Sequence, residues 1–237
     1  MVLSHTHQFV FVSNGKTGTS SVEGALSAYQ EGEEYEVGIP GLYHDKHVTP
    51  AVLRAQLGPQ VWEEYFTFCF VRNPWDWFVS QFFWNWTPDP ISRKALLHSP
   101  IRTLRTYWEK EKQRRYLQDL DCFTEEEIRK TYDRLRRYRA VYEADSLFQY
   151  HYAYSPTGEQ LVDFVGRFER IEEDFARAMN RVGLDVCLPH RNATDHETYR
   201  SYYTEDTAAL VGDLYRIDVE TFDYTGPFEK TPGYLVS

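Results

Sequence analysis

Between Ser13 and Ser21 the chain reads SNGKTGTSS, with one lysine set between two glycines and followed by a run of hydroxyls. These residue types suit an anion. Lys16 offers a mobile positive charge, and Thr17, Thr19, Ser20 and Ser21 offer hydroxyl donors. Gly15 and Gly18 let the backbone approach a ligand closely and present its amides. An apolar run, Phe9 to Val12, precedes the loop. A helical pattern opens at Ser20, which has the Ser-x-x-Glu spacing of a capping box to Glu23. The first amides of a helix have no partner inside it and carry the positive end of its dipole. Strand, loop and helix together predict a cradle for a phosphate or sulfate of a nucleotide; the plainer alternative is a simple connection. A nucleotide-triphosphate P-loop fits poorly, because its first glycine would fall on Val10, inside the strand.

A second anion-binding group follows at the end of another apolar run. Phe66 to Val71 has the length and the unbroken hydrophobicity of a buried strand in a parallel sheet. Arg72 and Asn73 stand at its carboxyl end, Pro74 is suited to open a helix, and Ser80 lies two turns further on. Ligands of open α/β sheets bind where strands end in this direction. Arg72 could grip a phosphate with its planar fork, assisted by the Ser80 hydroxyl. On its own Arg72 reads equally as half of a strand-end salt bridge. Two anion sites on two strand ends predict a ligand with two separated anionic groups.

These residues resemble those of sulfotransferases that use 3′-phosphoadenosine 5′-phosphosulfate (PAPS), closest to the carbohydrate-type, family 2-like branch. The matching elements are Lys16-Thr17-Gly18-Thr19-Ser20 after an apolar strand, and Arg72-Asn73-Pro74 with Ser80 eight residues beyond the arginine. Lys46 to Gly58, Val162 to Phe175, Leu188 to Asn192 and Tyr199 to Tyr224 are also similar, which leaves roughly 85–148 outside the resemblance. One departure is Trp77, where many relatives carry arginine. The resemblance implies an α/β fold: a single P-loop-like domain over residues 1–237 with a central, mostly parallel sheet flanked by helices. Residues 85–148 are then a helical, acceptor-side insertion. It also implies PAPS as sulfate donor, with Gly15, Lys16, Thr17, Gly18, Thr19 and Ser20 around the 5′-phosphosulfate, Arg72 and Ser80 on the 3′-phosphate, and Arg191 and Asn192 closing over the nucleotide. Sulfuryl transfer is an in-line displacement, so Lys16 would stabilise the departing oxygen. A base is needed for the acceptor hydroxyl. His47, which precedes the next helix and matches a family histidine, is the first choice, with His44 and then Asp45 as substitutes. His44-x-x-His47 has no cysteine or further histidine nearby, so no metal is expected.

Charge and composition narrow the setting. The chain has 26 basic and 36 acidic residues, a balance that repels nucleic acid and anionic membranes. Residues 93–139 run against it, with fourteen basic and eight acidic residues against twelve and twenty-eight elsewhere. That patch would attract an anionic acceptor such as a uronic acid or sulfated sugar, or it simply solvates two helices. Trp75, Trp77, Trp84, Trp86 and Trp108 could stack on sugar rings, although aromatics at helical spacing more often form core. Cys69, Cys122 and Cys187 are odd in number and widely spaced, which predicts free thiols in a reduced compartment. No apolar stretch reaches membrane-span length and Met1 to His7 lacks a signal-peptide pattern, so a cytoplasmic enzyme is expected. A P-loop kinase, or a nucleotide- or glycan-binding module without chemistry, stays open as the alternative.

Local signals complete the expectation. Thr49-Pro50 starts a helix that Gly58 ends, and Thr124-x-x-Glu127 starts another. Tyr150 to Tyr154 and Gln160 to Phe164 flank Pro156-Thr157-Gly158 as a hairpin. A helix from Glu169 stops at Gly183, and a last long helix opens at Thr204 with Leu210, Leu214 and Ile217 inward.

Overall fold

The computed structural model describes residues 1–31, 37–39, 43–45, 47–86, 107–109, 111–112, 115–140, 147–188 and 198–228. Its centre is a four-stranded sheet. Two short segments, the wholly apolar β2 (Phe9–Val12) and β5 (Phe66–Val71), apolar but for Thr67, pair in parallel with Phe9 opposite Phe66 and Val12 opposite Cys69. The edge strand β1 (Val2–Ser4) runs antiparallel to β2, and β6 (Phe164–Arg167) runs parallel to β5, giving the order β1-β2-β5-β6. A separate antiparallel pair joins β3 (Val37–Ile39) to β4 (Tyr43–Asp45).

Strand periodicity splits the core in two. Phe9, Phe11, Phe68 and Phe70 face one side, where they meet Val22 and Leu26 of α1 (Thr19–Leu26) and Phe175, Ala178 and Met179 of α6 (Ile171–Val182). Val10, Val12, Cys69 and Val71 face the other. There they pack with Leu53 of α2 (Pro50–Leu57), Trp62 of α3 (Pro59–Glu64), Trp75, Phe78 and Phe82 of α4 (Pro74–Trp86), and Val211 of α7 (Glu205–Leu214). The helix after β2 therefore goes to one face and the helix after β5 to the other. Their connecting loops diverge from the carboxyl ends of the two central strands, the kind of switch point at which open α/β sheets bind ligands.

Helix starts and stops follow local chemistry in most places. Thr49 is the extended N-cap of α2 with Pro50 at its first position, and Gly58 ends it at φ 87°. Thr124 and Glu127 exchange bonds at the start of α5 (Glu125–Ala140), and Gly183 closes α6 in the left-handed conformation. Among the described part of 85–148, residues 107–109, 111–112 and 115–118 are also helical.

Elsewhere tertiary contacts redirect the local signal. The capping box at Ser20 does not form. Gly18 is the N-cap of α1, and Glu23 turns to the Ser13 hydroxyl (2.6 Å) and the Met1 amine (3.4 Å). The hairpin shrinks to a single bridge between Tyr154 and Gln160, because Gln149–Tyr152 forms a 3-10 helix and Phe164 continues into β6. The last helix breaks at Tyr215 into α7 and α8 (Arg216–Thr221). Its fully buried residues are Thr207, Ala208, Val211, Tyr215 and Asp218; Leu210 and Leu214 pack half-buried against the core as expected, while Ile217 is exposed. Strand β1 carried no pattern beyond three residues.

Candidate active site

The loop between β2 and α1 is held by its carbonyls. The Ser13 carbonyl accepts from His47 Nδ1 (3.0 Å), and the Asn14 carbonyl from the hydroxyls of Thr17 (2.8 Å) and Thr19. The Gly15 carbonyl accepts from Trp77 Nε1 (2.9 Å), and the Lys16 carbonyl from Arg72 Nη1 (3.1 Å). Four successive peptide oxygens are thus turned into the protein by side chains from inside the loop and beyond it. In a trans peptide the N–H points away from the C=O, so the following amides face the opposite way. No amide from Gly15 to Ser20 makes a hydrogen bond of good geometry to an acceptor among the described residues. An array of unpaired amides at a helix start is an anion nest.

Two residues take the left-handed backbone this requires, Lys16 at φ 67° and Gly18 at φ 80°. A side chain on Gly18 would collide with Ile171 Cδ1 and lie 3.1 Å from the Phe168 ring. That glycine serves packing against α6 as well as loop shape. The Thr17 and Thr19 hydroxyls, expected to face a ligand, instead close the loop on Asn14. Ser20 at the first turn of α1 is exposed.

Arg72, at the tip of the adjacent strand, is 8% exposed. Its Nε and Nη2 bind the two oxygens of Asp76 at 2.7 Å each, and its plane stacks on Phe168 at 4.3 Å. The bidentate pair fixes the guanidinium, and the bond to the Lys16 carbonyl ties it to the loop. Trp77 supplies the Gly15 bond, and it is buried against Tyr215. Asp76, half-buried Ser80 and Trp84 follow at four-residue steps along one stripe of α4. At the end of the stripe the Lys16 ammonium sits 4.3 Å from the centre of the Trp84 ring. Burial, and then the Arg72 charge, push the Lys16 pKa below the ordinary lysine value.

Behind the two strand tips lies a hub that no motif announces. Gln149 is buried; its Nε2 donates to the Arg72 carbonyl (2.7 Å), and its Oε1 accepts from the Arg72 amide (2.8 Å) and Asn14 Nδ2 (3.4 Å). Tyr152, on the same 3-10 helix, donates its hydroxyl to the His47 carbonyl (2.9 Å). Asp218 accepts the amides of Gln149 (3.1 Å) and Tyr150 (2.7 Å). Burial outweighs those two bonds and pushes its pKa up to about 7. The folded protein therefore holds this proton over a range where the unfolded chain, near pKa 4, has released it. The stabilising contribution of protonated Asp218 is complete below pH 4 and disappears as pH rises to 7. Urea denaturation should show wild type losing stability against Asp218→Asn across that window, and parallel curves would refute the assignment.

Glu169 closes the other side of the corner, accepting from the Asn73 amide (2.5 Å) and the Tyr224 hydroxyl (3.1 Å), with its pKa raised by burial. Asn14, Gln149 and Glu169 were not candidates from the sequence, and Trp84 was one only for stacking on a sugar ring. Their partners lie as far as 135 residues away, and only Trp84, as an aromatic near the second motif, left any signal. Of the candidates, Gly15, Lys16, Thr17, Gly18, Thr19 and Ser20 form the loop and the start of α1, His47 and Arg72 are hydrogen-bonded to that loop, and Ser80 lies one turn beyond Asp76 on α4. His44 and Asp45 belong to β4 by their backbone, and Arg191 and Asn192 lie outside the described residues.

A sequence profile of the sulfotransferase family matches residues 1–225. The chain belongs to the sulfotransferase family. An uncharacterized protein of Archaeoglobus fulgidus is 26% identical over 150 residues, which is 63% of this sulfotransferase and 94% of that relative. No solved structure matches it. Among the described residues no helix is long and apolar enough to cross a membrane, and no three His, Cys, Asp or Glu side chains stand together as metal ligands would. The three cysteines are free thiols.

Proposed function

We propose that this sulfotransferase moves the sulfuryl group of PAPS to a hydroxyl of an acceptor, a carbohydrate in our reading, without a metal ion and in the cytoplasm. The observation that carries the reading is the unpaired amide row from Gly15 to Ser20 beside Lys16, on the strand adjacent to the one that ends in Arg72. The donor suits that arrangement because it carries a phosphosulfate at one end and a 3′-phosphate at the other. The loop amides and Lys16 would hold the phosphosulfate, and Arg72 and Ser80 the 3′-phosphate. The described bonds of Arg72 use three of its five N–H groups, which leaves donors for a ligand. Arg191 would close over the nucleotide.

In the transfer, the acceptor oxygen bonds to sulfur as the bond from sulfur to the 5′-phosphate oxygen breaks. The Lys16 ammonium balances the charge that develops on the departing oxygen. His47 would take the acceptor proton. A carbonyl can only accept, so the bond to Ser13 puts the ring proton on Nδ1 and leaves the lone pair of the neutral imidazole on Nε2. The same bond ties His47 to the loop that carries Lys16. The carbohydrate acceptor draws support from the basic surplus of 93–139 and from the exposed ring of Trp108, within an acceptor-side insertion of a single 1–237 domain. The free thiols support a reduced, cytoplasmic setting.

Calorimetry and thermal denaturation with 3′-phosphoadenosine 5′-phosphate test the reading. At about 100 times its dissociation constant this product should stabilise the fold by roughly 2.7 kcal/mol. ATP with magnesium should do less, and radiolabelled sulfate should pass from PAPS to a member of a glycan panel. A protein indifferent to the nucleotide would defeat the proposal.

A further inference from the structure

Lys16 brings a positive charge into a place that already holds one. Its ammonium is partly desolvated and feels the Arg72 charge, yet Arg72 has Asp76 as counter-ion and no carboxylate pairs with Lys16 among the described residues. What meets the ammonium is the face of Trp84, 4.3 Å away. Hydrophobic burial does not account for this tryptophan, since 70% of it is exposed whereas Trp62, Trp75 and Trp77 are buried.

We propose that Trp84 is the positioning residue for Lys16, seating its ammonium on the indole face at the far end of α4 from Arg72 and keeping it there when the donor binds. The inference rests on the donor-site reading above. Arg72 is held at Asp76 and Lys16 at Trp84, two helical turns or about 12 Å further along the same stripe, with Ser80 between them. Helix α4 therefore acts as a ruler that keeps the two cations apart, as a ligand with two anionic ends requires. An aromatic face suits this task better than a carboxylate. Asp or Glu would neutralise Lys16 and compete with the anion. The ring attracts the ammonium through its quadrupole and leaves the net charge in place, with N–H donors still directed away from the ring. Lysine has many rotamers, and confining it before reaction is the kind of preorganisation that raises turnover.

The test compares wild type with Trp84→Leu and Trp84→Phe in the full chain. Trp84 is exposed, so all three should share one melting temperature. In carbon-13 NMR spectra the Lys16 ε-methylene protons, assigned through Lys16→Met, should lie upfield of the other lysines because of the indole ring current. They should stay upfield at saturation with 3′-phosphoadenosine 5′-phosphate and lose the shift in Trp84→Leu. Release of sulfate from PAPS should fall about 10- to 100-fold in kcat for Trp84→Leu, with nucleotide affinity changed by less than about threefold, and Trp84→Phe should recover most of the loss. The proposal is overturned by wild-type kcat in Trp84→Leu, by a Lys16 signal with no ring-current shift, or by a shift that vanishes when nucleotide binds. A Phe variant no better than Leu also overturns it. A protein that binds no nucleotide refutes the donor-site reading and this inference together, whereas nucleotide binding with any of the other failures refutes this inference alone.

Discussion

Lys16→Met is expected to slow sulfuryl transfer by about two to four orders of magnitude while changing affinity for 3′-phosphoadenosine 5′-phosphate by no more than about tenfold. The asymmetry follows from where charge appears. On the proposed reading the loop amides and Arg72 would meet the donor in its ground state, whereas negative charge would build on the departing oxygen only as the bond to sulfur breaks. A group that faces that oxygen contributes chiefly to the transition state. The structure makes this substitution a clean one. Arg72 bonds to the carbonyl of residue 16 rather than to its side chain, so the loop keeps that tether in the variant. The partly desolvated ammonium also adds no ion pair among the described residues. The variant should melt at or slightly above the wild-type temperature. Steady-state kinetics and calorimetry on the same samples decide the matter, and equal losses of turnover and product affinity would remove Lys16 from the transition state.

Arg72→Met should cost the fold about 3–5 kcal/mol, because it strands a buried carboxylate. Asp76 is 5% exposed and both of its oxygens face the guanidinium at 2.7 Å. The Lys16 carbonyl loses its donor as well. Arg72→Met combined with Asp76→Leu removes both charges and should regain most of the stability, with a coupling of about 2–3 kcal/mol in the double-mutant cycle. Nucleotide affinity should not return with it. That split would separate the brace that Arg72 provides for the loop from its proposed role as ligand for a phosphate. Additive losses in urea denaturation would show that the pair is not a unit, and restored nucleotide binding in the double variant would take Arg72 out of the ligand site.

Much of this architecture was legible in short stretches of sequence. FVFV and FTFCFV are too apolar for anything but central strands, and Ser13 to Gly18 and Arg72-Asn73-Pro74 are compatible only with a turn into a following helix. Those signals depend on a few adjacent residues, so they survive folding, as do Thr49-Pro50, Thr124-x-x-Glu127 and Gly183. Other local signals did not survive competition. Ser20 and Glu23 have the spacing of a capping box, but the Met1 amine and the Ser13 hydroxyl offered Glu23 better partners once β1 had paired with β2. Thr204 opens a helix as its chemistry requires. The break at Tyr215 reflects burial of that ring among Trp77, Phe78 and Phe148, which no helical period encodes.

The chain on its own indicated which residues suit an anion and that they follow strands, because charge, hydroxyl and glycine content are properties of single residues and apolar runs mark the strands before them. Only the folded molecule decided which way each group points. Threonine hydroxyls became loop ties, four carbonyls were drawn inward so that the amides face out, and Gln149 joined two strand tips from the far half of the chain. Hydrogen bonds are short and directional, so their partners are set by three-dimensional neighbours. Sequence spacing has no access to that distance.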